Sequence, residues 1–304
     1  MDKVYDMIIV GGGPGGYTAA LYAARAGLDV LIVERLSAGG QMNLTGIIDN
    51  YPGFPEGIEG FMLGMNMQQQ AERFGAKTKY AEVLKLELDA DVKSVQTNEG
   101  NYLTKTVVIS TGANPRQLGV ARENEMIGRG VAYCAHCDGG FYRGKTVIVA
   151  GGGNSAVAEA LYLSRIAKEV ILVHRRDSLR ATQIYHKPLQ EASNIRFVWD
   201  SEIVELLGED VLSGVRVRNR KSGEEQLLEV QGLFVSIGRK PATELVKDQL
   251  TLDEAGYIMA GEDTRTSISG VYAVGDVRVK ELRQIVTAVA DGAMAAHAAE
   301  GYLA

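Results

Sequence analysis

A chain of 304 residues, with 46% hydrophobic residues and 36 glycines, has the length of about two domains with ordinary cores and many tight turns. The net charge of −6 argues against broad electrostatic binding to nucleic acid or to an anionic membrane. No apolar run approaches a membrane span and residues 1–6 lack a signal-peptide core, so we expect a cytoplasmic protein.

The N-terminal region has the pattern of a dinucleotide-binding unit. A short apolar run ends at the glycine-rich turn 11–16, and a helical pattern over residues 18–26 leads to a second apolar run that ends at Glu34. Gly11 permits the turn, and Gly13 lets the backbone approach a pyrophosphate at the helix N-terminus. The third glycine, Gly16, lets the helix pack close to the strand, and Glu34 can accept hydrogen bonds from ribose hydroxyls.

The same unit recurs without a gap 140 positions later, with its glycine turn at 151–153. At the end of its second strand, His174 stands where the first copy has Glu34, and Arg175 and Arg176 follow. A carboxylate would repel a 2′-phosphate, whereas a guanidinium group pairs with one. The second site is therefore predicted to prefer NADPH to NADH, and the alternative is a solvated basic turn.

The only two cysteines, Cys134 and Cys137, are separated by two residues. Such a pair can close a disulfide, and lowering the pKa of either thiol supplies the thiolate that disulfide exchange requires. Zinc would need four ligands, and the histidines outside this motif lie far apart in sequence. An inert cysteine pair is a further alternative, but the cytoplasm keeps thiols reduced, so we predict redox chemistry. Asp138 is placed to move a proton, or else serves as a turn residue.

The stretch between the two units contains a loop, a helix and strands. Turn-forming residues over 39–55 predict a long functional loop. A helical pattern follows near 60–74, and strand-like runs lie near 83–88 and 107–110.

Two breaks in the pattern, at Thr111 to Pro115 and at Gly238 to Pro241, predict the domain boundaries. After them the chain runs into a strand that ends at Asp276 and an alanine-rich helix. We expect this last piece to return and complete the first domain. The predicted domains are therefore 1–113 with 243–304, and 114–242.

These motifs together closely resemble the low-molecular-weight thioredoxin reductases, the NADPH-dependent flavoproteins of bacteria. The resemblance runs essentially from end to end. It is carried by the two glycine turns, Gly39-Gly40-Gln41, Asn50-Tyr51-Pro52-Gly53-Phe54-Pro55, Thr111-Gly112-Ala113, Cys134 to Gly139, His174-Arg175-Arg176-Asp177 with Arg180, Gly275-Asp276 and Arg283-Gln284.

The resemblance implies an α/β fold with two Rossmann-like, three-layer ββα dinucleotide-binding domains, the second inserted in the first. The residues it assigns to FAD are Gly11, Gly13, Pro14, Gly15, Gly16, Glu34, Arg35, Gly39, Gly40, Gln41, Asn50, Val83, Thr111, Gly112, Gly275, Asp276, Arg283, Gln284 and Ile285. The residues it assigns to NADPH are Gly151, Gly152, Gly153, Asn154, Ser155, His174, Arg175, Arg176, Arg180 and Gly238.

The resemblance further implies that reducing equivalents pass from NADPH through FAD to the Cys134–Cys137 disulfide, and from the dithiol to thioredoxin or a thioredoxin-like protein. Cys137 is then the sulfur next to the flavin, Cys134 attacks the substrate disulfide, and Asp138 acts as acid and base. A homodimer is expected, with no metal and no nucleic-acid partner.

Other functions remain open at this stage. The enzymatic alternatives are an alkyl hydroperoxide reductase flavoprotein, whose family carries an extra thioredoxin-like N-terminal region, and a reductase of another redoxin or of a peroxiredoxin system. A flavin redox sensor without turnover is the alternative from a different class. His136 stands where the family commonly has threonine, serine or valine, Gly15 replaces a frequent alanine, and residues 118–123 lack a frequent proline-glycine-glutamate.

Overall fold

The computed structural model of the chain describes residues 3–44 and 47–304. Its helices are α1 (Pro14–Arg25), α2 (Gly60–Glu72), α3 (Ala135–Asp138), α4 (Asn154–Ser164), α5 (His186–Glu191) and α6 (Ile285–Leu303). Its strands are β1 (Val4–Val10), β2 (Val30–Glu34), β3 (Ile47–Ile48), β4 (Ile58–Glu59), β5 (Lys77–Tyr80), β6 (Val83–Glu87), β7 (Lys93–Thr97), β8 (Gly100–Ile109), β9 (Ala113–Pro115), β10 (Val131–Ala132), β11 (Thr146–Ala150), β12 (Glu169–Val173), β13 (Ile195–Val198), β14 (Ser201–Leu207), β15 (Gly214–Asn219), β16 (Glu225–Glu229), β17 (Gly232–Val235), β18 (Arg239–Pro241) and β19 (Val271–Ala273).

The chain divides into two compact units. The outer unit comprises the described parts of Met1–Gly46 together with Tyr51–Asn114 and Lys240–Ala304. The inserted unit comprises Ile47–Asn50 and Pro115–Arg239. The chain therefore passes between the units within β9 and within β18, and also on either side of the short segment Ile47–Asn50.

The outer unit is built on a sheet whose parallel strands run in the order β5-β2-β1-β8, with β19 also paired to β8. Successive side chains of a strand point to opposite faces. In β1, Met7 and Ile9 pack in a buried cluster with α1 and α6. Ile8 and Val10 pack on the other face, in a cluster that includes residues of the antiparallel strands β6 and β7. The unit therefore has three layers, ββα.

The inserted unit repeats this arrangement. Its parallel sheet has the order β10-β17-β11-β12-β13. Val147 and Val149 of β11 pack with residues of α4, whereas Ile148 and Ala150 pack with residues of the antiparallel sheet β14-β15-β16. The predicted α/β fold with two Rossmann-type units is confirmed.

The registers of the two units preserve the repeat seen in the sequence. Met7 pairs with Val30 between β1 and β2, and Val147 pairs with Val170 between β11 and β12. Each residue of the second pair lies 140 positions after its counterpart in the first. The glycine turns at 11–16 and 151–153 therefore follow strand pairs that have the same register.

Two local expectations need correction. The first helix begins at Pro14 rather than at residue 18, because a proline at the first helical position has its φ angle already set and needs no N–H partner. The segment 39–55 is not a plain loop, since it contains a 3₁₀ turn over Gly40–Leu44 and the short strand β3. Within the ranges 3–44 and 47–304, no helix has both the length and the apolar character needed to cross a membrane.

Candidate active site

The two cysteines form a disulfide at the start of α3. Cys134 is the N-cap of this short helix, and its sulfur accepts a hydrogen bond from the backbone N–H of Cys137 at 3.2 Å. A backbone N–H directed at a sulfur stabilises the thiolate form. The backbone therefore already directs one N–H donor at the Cys134 sulfur.

Asp138 follows the second cysteine and lies largely out of water. Burial raises the pKa of its carboxyl to about 6. A carboxyl group with a pKa this close to neutral can both release and accept a proton under working conditions. Burial, with a smaller contribution from the charge of Asp138, raises the pKa of the nearby Tyr142 to about 12.

The turn that carries the disulfide, Cys134 to Gly139, packs against α4. We call it the dithiol turn. The ring of His136 lies 4.3 Å from the ring of Tyr162, measured between centroids. A Cβ atom on Gly139 would lie only 3.0 Å from the Tyr162 ring, so this glycine permits the close approach. Asn50, predicted near the flavin, has its amide Nδ2 at 3.4 Å from the carbonyl of His136, to which it donates. The structure therefore places Asn50 at the dithiol turn.

The glycine turn of the outer unit leaves open space beside the start of α1. Gly11 has φ +103°, a value that favours glycine. A Cβ atom on Gly16 would collide with the carbonyl of Gly11, whereas one on Gly13 would meet nothing within 4 Å. The turn is thus tight where helix meets strand and open where a phosphate would approach.

Both glycine-turn helices, α1 and α4, start with backbone N–H groups that have no partner within the helix itself. No side chain caps α1 or α4 within the described chain, and neither helix has an acidic residue in its first turn. The first N–H groups of a helix need partners, and an anion satisfies them while also meeting the positive end of the helix dipole. The donors present therefore fit a dinucleotide pyrophosphate in each unit.

Glu34 is fixed beside the outer turn. Its two carboxylate oxygens accept hydrogen bonds from the backbone N–H groups of Gly12 at 2.7 Å and of Leu36 at 2.9 Å. The backbone N–H of Gly39 donates to the carbonyl of Gly12 at 2.8 Å. Arg35 is exposed and lies 3.9 Å from Glu82. The acid thus stands at the strand end where a ribose hydroxyl would need an acceptor.

The remaining outer candidates lie on the same unit in separate segments. Gln41 donates from Nε2 to the carbonyl of Ala113, and Thr111 donates from its hydroxyl to the carbonyl of Ala242 at 2.7 Å. Gly40 begins the 3₁₀ turn, Val83 begins β6, and Gly112 has φ +72°.

The C-terminal candidates surround the start of α6. Gly275 and Asp276 begin a 3₁₀ turn, Gln284 caps α6 together with Thr287, and Ile285 is its first residue. The guanidinium of Arg283 stacks on the Tyr257 ring at 4.2 Å, and its buried Nε has no partner among the described residues. That donor is left for a bound molecule, which again fits a ligand here.

The glycine turn of the inserted unit lies directly on His174. A Cβ atom on Gly152 would collide with the His174 ring, and this side chain is only 4% exposed. Burial, together with the charge of Arg180, lowers the pKa of His174 and so favours its neutral form. The buried His174 ring therefore packs against the glycine turn. It is separate from the exposed arginines of residues 175–180, which we call the basic loop.

The basic loop that follows is exposed and tied to the glycine turn. Arg175, Arg176 and Arg180 are exposed, and the backbone N–H of Arg180 donates to the carbonyl of Gly152 at 2.8 Å. Asn154 accepts a hydrogen bond from the backbone N–H of Thr182 at 2.9 Å. The backbone of the basic loop is thus tied to the glycine turn, while its three arginine side chains are exposed.

The last two candidates of the inserted unit are Ser155 and Gly238. Ser155 is exposed in the first turn of α4. Gly238 has φ +109°, and its carbonyl accepts from the backbone N–H of Arg116 at 2.9 Å.

The sequence analysis missed Glu159 on α4. Burial raises the pKa of its carboxyl to about 7, against the lowering effects of Arg239 and Ser236, and its Oε2 is buried without a partner among the described residues. A single acid within the otherwise apolar stretch from Ala156 to Leu163 was the available signal. In the residues the structure covers, no three histidine, cysteine or acidic side chains are grouped to hold a metal ion.

Comparison with known proteins agrees with this geometry. Residues 5–292 match the family model of the pyridine nucleotide-disulphide oxidoreductases. The thioredoxin reductase of Streptomyces clavuligerus is 45% identical over 100% of this chain and 95% of its own length. That of Listeria monocytogenes is 42% identical over 99% of this chain and 95% of its own length. The crystal structure of the Streptococcus pyogenes thioredoxin reductase superposes with a TM-score of 0.93 at 46% identity, covering 100% of this chain and 99% of that one.

These matches extend over both units and include the cysteine pair. The resemblance seen in the motifs is therefore confirmed over the whole chain. The chain belongs to the pyridine nucleotide-disulphide oxidoreductase family and, within it, to the low-molecular-weight thioredoxin reductases.

Proposed function

We propose that the enzyme uses NADPH and a bound FAD to reduce thioredoxin or a thioredoxin-like protein. The observation that carries the proposal is the Cys134–Cys137 disulfide beside a carboxyl of near-neutral pKa, in a unit with its own nucleotide turn. The relatives described above are named thioredoxin reductases, which supports the same class of substrate.

The outer unit is the proposed FAD domain. The turn at 11–16 would hold the pyrophosphate, Glu34 the adenosine ribose, and Asp276 and Arg283 the opposite side of the dinucleotide. Open space at Gly13, the uncapped α1 and the unpartnered Arg283 Nε support this placement.

The inserted unit is the proposed NADPH domain. Its exposed arginines, Arg175, Arg176 and Arg180, would pair with the 2′-phosphate, which an acid such as Glu34 would repel. When bound, NADPH supplies a hydride and FAD carries the two electrons onward to the disulfide.

The dithiol then exchanges with the substrate. The Cys134 thiolate attacks one sulfur of the substrate disulfide, and that S–S bond breaks as a mixed disulfide forms. Cys137 next attacks the Cys134 sulfur, which releases the substrate as a dithiol and closes the Cys134–Cys137 bond again. Asp138 takes the proton from Cys137 and returns one to a departing sulfur.

The test is NADPH consumption by the purified protein with oxidised thioredoxin. We expect sustained turnover that needs both proteins, is much slower with NADH, and is lost in Cys134→Ser and in Cys137→Ser. A single stoichiometric oxidation of NADPH without turnover would instead identify a redox sensor. No oxidation with any thioredoxin would contradict the proposed function.

The assignment of the attacking sulfur has its own test. With thioredoxin, Cys137→Ser should accumulate a mixed disulfide through Cys134, because the resolving thiol is gone. A mixed disulfide that forms only in Cys134→Ser would reverse the two roles.

We extend the proposal to a cytoplasmic homodimer without a nucleic-acid partner. Light scattering of the purified protein tests the assembly, and a monomer at working concentration would contradict it.

A further inference from the structure

Three charged side chains are buried together in the outer unit beside Gly275. Arg278, Lys280 and Asp291 have side chains that are 4–7% exposed. The Asp291 oxygens accept from Arg278 Nε at 3.0 Å, Arg278 Nη2 at 2.7 Å and Lys280 Nζ at 2.6 Å. In each other ion pair of the described chain, at least one side chain is more than a third exposed. We name Arg278, Lys280 and Asp291 the buried ion cluster.

The buried ion cluster carries more positive than negative charge, since two cations share one carboxylate. Taking charges out of water is costly unless they are balanced. Glu262 and Asp263 also act on Arg278, but both are exposed, where water screens their charge. An additional anion bound close to the cluster would therefore be stabilised.

The cluster also fixes the backbone that precedes Asp276. The N–H of Gly275, a residue with φ +72°, donates to Asp291 Oδ2 at 2.8 Å. This turn cannot shift without breaking a buried hydrogen bond to a charged group, which is among the stronger kinds in proteins.

The same helix contacts the first glycine turn. Ala288 and Gly292 stand on either side of Asp291 in α6. A Cβ atom on Gly15 would lie 3.1 Å from the Ala288 carbonyl oxygen, and one on Gly292 would collide with the Gly15 carbonyl. Helix α6 therefore links the start of α1 to the Gly275 turn, the two places assigned to FAD under the proposed function.

We infer that the buried ion cluster organises the FAD site. Asp291 is a positioning residue that holds the Gly275–Asp276 turn, and Lys280 adds a buried positive charge beside that turn. This inference rests on the proposed location of FAD in the outer unit.

The test is FAD binding to the full chain after its flavin has been removed. Asp291→Asn should raise the Kd for FAD at least about tenfold, the effect of losing one charge-assisted hydrogen bond. Lys280→Met should raise the Kd about threefold to tenfold, because the variant loses a buried positive charge beside the Gly275 turn. Lys105→Met is the matched control, because Lys105 pairs with Asp6 at the amino end of β1, and its Kd should not change.

Thermal unfolding with and without FAD separates positioning from a general role in stability. The rise in Tm produced by FAD should shrink in both cluster variants but not in the control. Equal losses of Tm with and without FAD, together with an unchanged Kd, would overturn the inference. If Asp291→Asn does not fold, the Kd of Lys280→Met decides alone.

A wild-type chain that binds no FAD would overturn the proposed function and the inference with it. FAD binding that is equally tight in all four proteins would overturn the inference alone.

Discussion

We predict that Asp138 has both a chemical role, as acid and base, and a cost in stability. Replacing it with asparagine should lower thioredoxin turnover by about 10²–10⁴-fold, the usual contribution of a positioned acid or base. Normal turnover in Asp138→Asn would exclude this role.

The same variant should be more stable than the wild type above neutral pH. Because burial raises the folded pKa of Asp138 to about 6 from 3.8, the stability gained by protonation is complete below the unfolded pKa and is lost as pH rises through 6. The loss is at most about 3 kcal/mol and should be missing from Asp138→Asn. Denaturant unfolding of the oxidised proteins at several pH values measures it, with the exposed Asp248→Asn as the control. If the free energy of unfolding of all three proteins changes with pH in parallel, folding does not raise the pKa of Asp138.

We predict that coenzyme choice also depends on single side chains. Changing Arg175 and Arg176 together to alanine should weaken NADPH more than about tenfold, since each lost charged contact is worth about 1.5–3 kcal/mol. NADH, which has no 2′-phosphate, should bind almost as before. Arg196→Ala is the control, because this exposed arginine pairs with Glu169. Equal losses for both coenzymes would show that the arginines support the fold instead.

At the scale of elements, the hairpin between β15 and β16 supports the basic loop. Lys221 at its tip lies 3.1 Å from Asp177 and 3.0 Å from Asp200, measured from Nζ to the carboxylates. The backbone N–H of Asp200 in turn donates to the carbonyl of Arg176 at 3.1 Å. The hairpin thus neutralises the acid that lies within the basic loop.

Lys221→Met should therefore weaken the binding of NADPH, because the Asp177 carboxylate would repel the 2′-phosphate. The change should be about threefold, since water and salt screen these exposed charges. Adding Asp177→Asn should restore the affinity, and Lys168→Met, another exposed lysine of the inserted unit, should have no effect. Titration of each variant with NADP⁺ measures it, and a double variant as weak as Lys221→Met would contradict the mechanism.

The two glycine turns could be predicted from sequence because their signals are local. The constraint on Gly11 involves only the strand before it and the helix after it, and the second copy repeats it at a constant spacing. Even so, the sequence predicted the first helix from residue 18, whereas it begins at Pro14, because the apolar pattern starts later than the helix itself.

The buried polar groups could not be predicted, because their environment comes from distant segments. Asp291 meets Gly275 and Arg278 only after α6 has packed, and nothing beside it in sequence indicates this. His174 illustrates the same limit, since its neighbours are three exposed arginines while its own ring is covered by Gly152. Burial, rather than sequence position, decides what each of these side chains does.

At the scale of the molecule, the distribution of the dithiol and the nucleotide turns over two units predicts that the inserted unit moves. The dithiol and the proposed NADPH turn belong to the inserted unit, whereas the proposed FAD turn belongs to the outer unit. Both the disulfide and the nicotinamide must reach one flavin ring, and the dithiol must also reach a protein substrate. We therefore predict two orientations of the inserted unit, with pivots where the chain passes through β9 and β18.

A covalent tether between the units should block turnover while FAD stays bound. A photocleavable linker between introduced cysteines would test this, with recovery of thioredoxin reduction on illumination. The same linker placed within the outer unit is the control and should have little effect. Full turnover by an enzyme shown to be locked would rule the rotation out.

The order of segments along the chain also sets the order in which the protein can fold during synthesis. Strand β8 pairs with β19, and α1 packs against α6, so the outer unit needs partners that the ribosome makes last. Residues 110–270 must all be made before β19 exists, which at about 5–20 residues per second is a wait of roughly 8–30 s. The inserted unit ends at Arg239, so its sequence is complete before β19 is made and it can fold first. The nascent outer unit meanwhile lacks α6, the helix that covers part of the apolar surface of α1 in the folded protein.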